Sequence, residues 1–145
     1  MTIKLTGGCH CSAIRYEIDA AQFKWTGYCH CRICQLTTGA PTVPFFTVSV
    51  ATEFRYTKGT PAIYHSSNHA ERRFCSLCST QLDFRDNNRP DDVDILTITL
   101  DNPNEAPPSM HVFCESLVSW YHIEDGLPRY NGCYKEEEQN KEASS

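Results

Sequence analysis

Residues 70–84 read AERRFCSLCSTQLDF. One strand ends at Phe74, a second carries Leu82 and Phe84, and Cys75 and Cys78 stand between them. This is the pattern of a zinc knuckle at a hairpin tip, and a CxxC pair supplies only half of the four ligands a closed tetrahedral zinc site needs. The other half must come from elsewhere in the chain. About sixty residues upstream, Cys9 and Cys11 form a CxC pair. The four together make one complete thiolate site that fastens the N-terminal region to the central hairpin. A second stretch, YCHCRICQ at 28–35, packs Cys29, Cys31 and Cys34 into six positions with no obvious fourth ligand. The chain therefore reads as one closed site and one open one, although spacing alone also allows other partitions.

Around these cysteines the sequence reads as strands. In SAIRYEI, Ile14, Tyr16 and Ile18 alternate with Ala13, Arg15 and Glu17, the period of a half-buried strand. Gly7 and Gly8 just before Cys9 are expected to ease a tight fold of the backbone about the first pair. VPFFTVSV from Val43 is rich in β-branched and aromatic residues, with Pro44 near its start where a strand tolerates it. EFRYT and the turn KGTP follow, and VDILTITL at Val93–Leu100 is expected to be a core strand over its whole length. MHVFC at Met110–Cys114 reads as one more short strand. Helical signal is confined to CHCRICQLTTG, about one turn closed by Gly39 and Pro41, which would set Cys31 and Cys34 on a shared face. The expected fold class is mainly β, an antiparallel meander with little helix.

The chain has 145 residues, enough for a single domain. We place that domain at 1–134 and read 135–145, KEEEQNKEASS from Lys135, as a disordered acidic tail, because it holds no aliphatic or aromatic cluster to offset its ordering entropy. Nine cysteines could mark a disulfide scaffold. The odd count, the CxC and CxxC spacings and an opening MTIKLTGG without an apolar signal stretch point instead to metal in a reducing, cytoplasmic or nuclear compartment. A net charge of -5 and a pI near 5.6 argue against nucleic-acid partners, which are held through Lys and Arg. No run reaches the length of a membrane span.

Taken together, GGCHCSAIRYE, CHCRICQLTTGAP, ERRFCSLCSTQLDF, DVDILTITLDNP and SWYHIEDGLPRY resemble the glutathione-dependent formaldehyde-activating enzyme (GFA) family, which includes the centromere protein V group. The resemblance runs from about Thr6 to Tyr130. It implies a Mss4-like, or β-tent, fold stabilised by zinc. It also implies two ions: a structural zinc at Cys9, Cys11, Cys75 and Cys78, and an active-site zinc at Cys29, Cys31 and Cys34. The implied activity is that of a carbon-sulfur lyase that forms or cleaves S-(hydroxymethyl)glutathione. Glutathione is the implied small-molecule partner. Two departures stand out. Ser12 and Ser79 replace the family's usual glycines, modest changes where the backbone φ is negative. Gln35 replaces a common arginine, which weakens the expected grip on an anionic substrate.

Other readings compete. The trio could be completed by His30, His111 or Cys114 as a second structural site, or could be reactive thiols without metal. His30 and His111 could instead orient ligands or relay a proton. Arg32, Arg72 and Arg73 could hold a carboxylate. Cys114 reads as a buried small hydrophobe, and Cys133 carries no expected role. At the level of function, thiols add to formaldehyde readily without a catalyst, so a glutathione carrier or a zinc-stabilised protein-interaction module is the alternative to an enzyme. A redox enzyme resembling zinc-containing methionine sulfoxide reductase, with Cys114 as its thiol, would leave the Cys29/Cys31/Cys34 cluster unexplained.

Overall fold

A computed structural model describes residues 2–133, so the expected boundary at 134 and the acidic tail lie outside the described residues. In chain order the strands are β1 (Ile3–Gly8), β2 (Arg15–Ala20), β3 (Trp25–Cys29), β4 (Val43–Ser49), β5 (Phe54–Lys58), β6 (Ala62–His65), β7 (Ala70–Phe74), β8 (Gln81–Asp86), β9 (Asp92–Leu96) and β10 (His111–Val112). One α-helix, α1 (Arg32–Thr38), follows β3. The strands form a three-stranded sheet, β1-β2-β5, and a seven-stranded sheet, β10-β3-β4-β9-β8-β7-β6. All pairs are antiparallel except β10 with β3. The fold is mainly β, as the residue patterns lead one to expect.

The main core lies between the two sheets. From the small sheet come Leu5, Tyr16 and Ile18, and from the large one Phe46, Val48, Leu82, Val93 and Ile95, all buried. The alternation of Ile14, Tyr16 and Ile18 is what directs β2 into this layer. β4 sits next to β9 near the middle of the large sheet, and its Phe46 and Val48 are fully buried. Pro44 is tolerated there because it lies one residue from the strand's start, opposite Tyr28.

The large sheet curls. β7 lies four places from β3 in the strand order. In a flat sheet with strands about 4.8 Å apart, that is about 19 Å. Yet the Arg72 guanidinium of β7 reaches Cys34, on the helix that follows β3, at 3.5 Å. Irregular pairing helps at both cysteine turns: the register shifts between Arg15 and Tyr16 where β2 begins, and between Arg73 and Phe74 where β7 ends. Such bulges bend a strand and sharpen its twist.

Two sequence expectations need correction. The strand expected over Val93–Leu100 ends at Leu96, and Thr97–Thr99 form a 3-10 turn that leaves Ile98 exposed. The turn is stabilised by the Thr99 hydroxyl donating to the Leu96 carbonyl at 2.7 Å, and it brings Leu100 beside Gly7 across to the small sheet. Gly7 and Gly8 end β1 in ordinary strand conformation, so they are not turn residues. Their value is close approach: a Cβ on Gly7 would sit 2.4 Å from the Tyr16 hydroxyl, and one on Gly8 2.3 Å from the Ile14 carbonyl oxygen. The helix runs 7 residues, nearer two turns than the one expected, and Gly39 closes it at φ 77 by donating to the Gln35 carbonyl.

Candidate metal centres

Cys9 and Cys11 lie in the turn between β1 and β2, and Cys75 and Cys78 in the turn between β7 and β8. The two turns have a common form. The Ser12 amide donates to the Cys9 carbonyl at 3.2 Å, and the Ser79 amide to the Cys75 carbonyl at 2.8 Å. The amide of His10 donates to the Thr80 hydroxyl at 3.1 Å, joining one turn to the other. The four sulfurs lie within 4.8 Å of one another, with Cys9–Cys11 at 3.6 Å and Cys11–Cys75 at 3.7 Å. Sulfurs about 2.3 Å from a tetrahedral ion stand about 3.8 Å apart, so this set fits a metal with four thiolate ligands. Hydrogen bonds from the Thr80 hydroxyl and then the Thr80 amide lower the Cys78 thiol to about 5, which favours the thiolate a metal needs.

The second set is local. Cys29 ends β3, Cys31 caps α1, and Cys34 lies in its first turn. The Cys31 sulfur accepts the Cys34 amide at 3.2 Å, and the Cys29 and Cys34 sulfurs are 3.4 Å apart. All three sulfurs lie within 4.8 Å of one another, and no other Cys, His, Asp or Glu of the described residues joins the group. Neither His30 nor His111 nor Cys114 completes it. Hydrogen bonds from Cys29 and Cys34 hold Cys31 far below the usual thiol range, whereas the adjoining Cys31 and Cys34 sulfurs, and then burial, push Cys29 well above it. One negative charge is thus stable among the three without a cation, and a bound dication is what would ionise the rest. The trio is set in its own apolar cluster with Met110, Val112, Phe45 and Phe113. Its arrangement can hold an ion while leaving a position for an incoming ligand.

Residues 4–116 match the family model described as "Glutathione-dependent formaldehyde-activating enzyme". The chain belongs to the GFA family. It is similar to a Halomonas elongata protein named "Putative glutathione-dependent formaldehyde-activating enzyme", with 27% identity over 135 residues, 83% of this chain and 81% of that protein. It also resembles a Rhodobacter sphaeroides protein of known crystal structure, at a TM-score of 0.56 and 18% identity, covering 87% of this chain and 99% of that one. At that identity the likeness concerns the fold alone.

Within this GFA chain the two histidines come together. His30 and His111 are fully buried, with His30 Nε2 2.9 Å from His111 Nδ1 and His111 Nε2 2.7 Å from the Asp125 carboxylate. Burial, then the His111 ring, lower His30 to about 4. His111 Nε2 donates to the Asp125 carboxylate, which leaves His111 Nδ1 to accept from His30, and His30 Nδ1 has no hydrogen-bond partner among the described residues. Sequence reasoning missed Asp125, whose only signal was its place in SWYHIEDGLPRY.

Among the three candidate arginines only Arg72 reaches the trio. Arg73 pairs with Glu71 and Asp83, and Arg32 donates to the Gln35 side chain. Cys114 is half-buried at the start of a 3-10 turn rather than a core residue, and Cys133 is half-buried near the end of the described residues.

The Gln35 expectation changes as well. Gln35 is buried, and the two N–H groups of its Nε2 are shared among the carbonyls of His30 at 3.0 Å, Pro41 at 3.2 Å and Ser116 at 3.0 Å. It clamps three loop carbonyls beside the trio's helix. The serines fare the other way. Ser12 and Ser79 have φ of 67 and 70, in the left-handed region that penalises a side chain. Restoring glycine removes that strain at the expense of some chain entropy. Ser12→Gly and Ser79→Gly are each expected to stabilise the fold by about 0.5–1 kcal/mol, read from denaturant unfolding.

Proposed function

We propose that the chain is a zinc-dependent carbon-sulfur lyase that forms or cleaves an adduct of glutathione and an aldehyde, S-(hydroxymethyl)glutathione in the first instance. The observation that carries this reading is the three-sulfur set at Cys29, Cys31 and Cys34, which no further described residue completes, in a chain of the GFA family. The four-sulfur set takes the structural role, with zinc held by Cys9, Cys11, Cys75 and Cys78. A reducing compartment such as the cytoplasm suits both sets.

Zinc at the trio supplies a Lewis acid that lowers the pKa of an arriving thiol into the neutral range. The chain's own residues do the rest. Cys29, Cys31 and Cys34 would hold the ion, and Phe45, Phe113 and Met110 belong to the apolar cluster around them. The Asp125–His111–His30 chain fixes the ring of His30, the residue between Cys29 and Cys31 in sequence. In the forward direction the thiolate sulfur bonds to the carbonyl carbon, the C=O π pair moves to oxygen, and that oxygen takes a proton from water. The thiol's own proton goes to solvent, so glutathione and formaldehyde give the hydroxymethyl thioether and nothing else. Reversal breaks the C–S bond.

Because the uncatalysed addition is fast, the decisive experiment is kinetic. Zinc-loaded protein is expected to bind glutathione and to speed both formation and breakdown of the adduct above background, followed by NMR exchange. Glutathione binding without acceleration would make it a carrier, and no binding would remove glutathione as the substrate.

A further inference from the structure

Arg72 sits in the middle of β7 with 6% of its surface exposed, the one lysine or arginine in the buried set of the described residues. Its neighbours Arg73 and Arg85 both pair with the Asp83 carboxylate. Arg72 does not: no carboxylate of the described residues forms an ion pair with it, and its Nε is buried without a hydrogen-bond partner. Instead both terminal nitrogens lie 3.5 Å from the Cys34 sulfur, while the guanidinium carbon rests 4.8 Å from the centre of the Phe84 ring. A cation is expensive to bury unless an anion faces it. Here the facing group is a sulfur of the open trio.

We propose that Arg72 is the counter-charge of the Cys29/Cys31/Cys34 site and makes that site selective for a thiolate as its added ligand. This rests on the reading of the trio as a zinc site. Charge counting gives the reason. Three thiolates and a dication sum to one negative charge, and Arg72 brings the buried group to neutrality. An added thiolate then raises the total to one negative charge instead of two. Each thiol that binds gives its proton to solvent, so the species retained is the anion. Arg72 is a specificity-determining residue toward the sulfur of the ligand, not an anchor for the ligand's carboxylates. The guanidinium carbon lies over the Phe84 ring, and Tyr64 stands opposite Arg72 on β6.

The test compares full-length, zinc-loaded wild type with Arg72→Gln and Arg72→Lys, using calorimetric titration with three probes. Glutathione has thiol and carboxylates, 2-mercaptoethanol has a thiol alone, and S-methylglutathione has the carboxylates without a thiol. Arg72→Gln is expected to weaken both thiols by about tenfold or more and to leave S-methylglutathione within about twofold, while Arg72→Lys keeps thiol affinity within about threefold of wild type. Unchanged thiol binding in Arg72→Gln overturns the proposal. So does equal weakening of S-methylglutathione, which would make Arg72 a carboxylate anchor. Should the glutamine chain fail to fold, the lysine chain decides: a tenfold loss of thiol affinity with zinc retained overturns the assignment. Wild type that takes up 2-mercaptoethanol but not glutathione removes the proposed substrate and leaves Arg72 standing. Wild type with two zinc ions that takes up neither thiol overturns both.

Discussion

Cys75→Ser is expected to abolish the native fold, leaving a chain with lost near-ultraviolet dichroism and no cooperative unfolding transition. Cys75 is 1% exposed and belongs to the four-sulfur set that joins the β1–β2 turn to the β7–β8 turn. Structural zinc in small sites contributes about 10–16 kcal/mol of apparent binding free energy, against a net stability of about 5–15 kcal/mol for a typical domain. Its loss is therefore as large as the whole net stability of such a domain. Prolonged chelation of the wild type is expected to give the same product, and readdition of zinc to reverse it. A metal-free set of buried thiols would behave differently, since exchanging one sulfur for oxygen would then cost about 1–3 kcal/mol and leave a folded chain.

The second large effect is confined to the other set. Cys34→Ser is expected to fold normally, to lower zinc from two ions per chain to one, and to lose glutathione binding and catalysis together. The trio lies at the end of β3 and the start of α1, outside the cluster between the sheets, so its metal is not needed to hold them together. Changing even an outer partner of a metal costs ten- to a hundredfold in affinity, so loss of a ligand should cost more than about a hundredfold. Elemental analysis with thermal unfolding checks this. Two ions retained in Cys34→Ser would sink the proposed division of the cysteines. Partner binding that survives in a one-ion mutant would favour the interaction-module reading.

Much of this architecture could be read from the residues because its signals are local or chemically sharp. The period-two pattern of Ile14, Tyr16 and Ile18 marks β2, and the CxxC between two apolar strands marks the β7–β8 hairpin. β1, β3 and β6 were not read, and the end of β3 at Tyr28 and Cys29 passed for a turn entering the helix. β6, AIYH, lies at a sheet edge with mostly exposed side chains, so no periodicity distinguishes it. The end of β9 at Leu96 was also hidden, because TITL has the composition of a strand while its turn rests on the Thr99–Leu96 bond and on contacts with Gly7 and Tyr16 across the fold. At the sites, ligand types and spacings were visible, but orientation was not. Gln35 looks polar and surface-like until three carbonyls surround it. Arg72 and Arg73 are adjacent in sequence, and the alternation of a strand sends one to the trio and the other to Asp83.

The two cysteine sets also differ in when they can exist. All of Cys29, Cys31 and Cys34 emerge within six residues of one another during synthesis, whereas the four-sulfur clamp joins Cys11 to Cys75 across 64 positions. Long loops are closed at an entropic cost that grows only logarithmically, but such non-local contacts form slowly. A growing chain therefore presents the three-thiol set well before the four-thiol set, whose last sulfur, at Cys78, follows the first, at Cys9, by about half of the described residues.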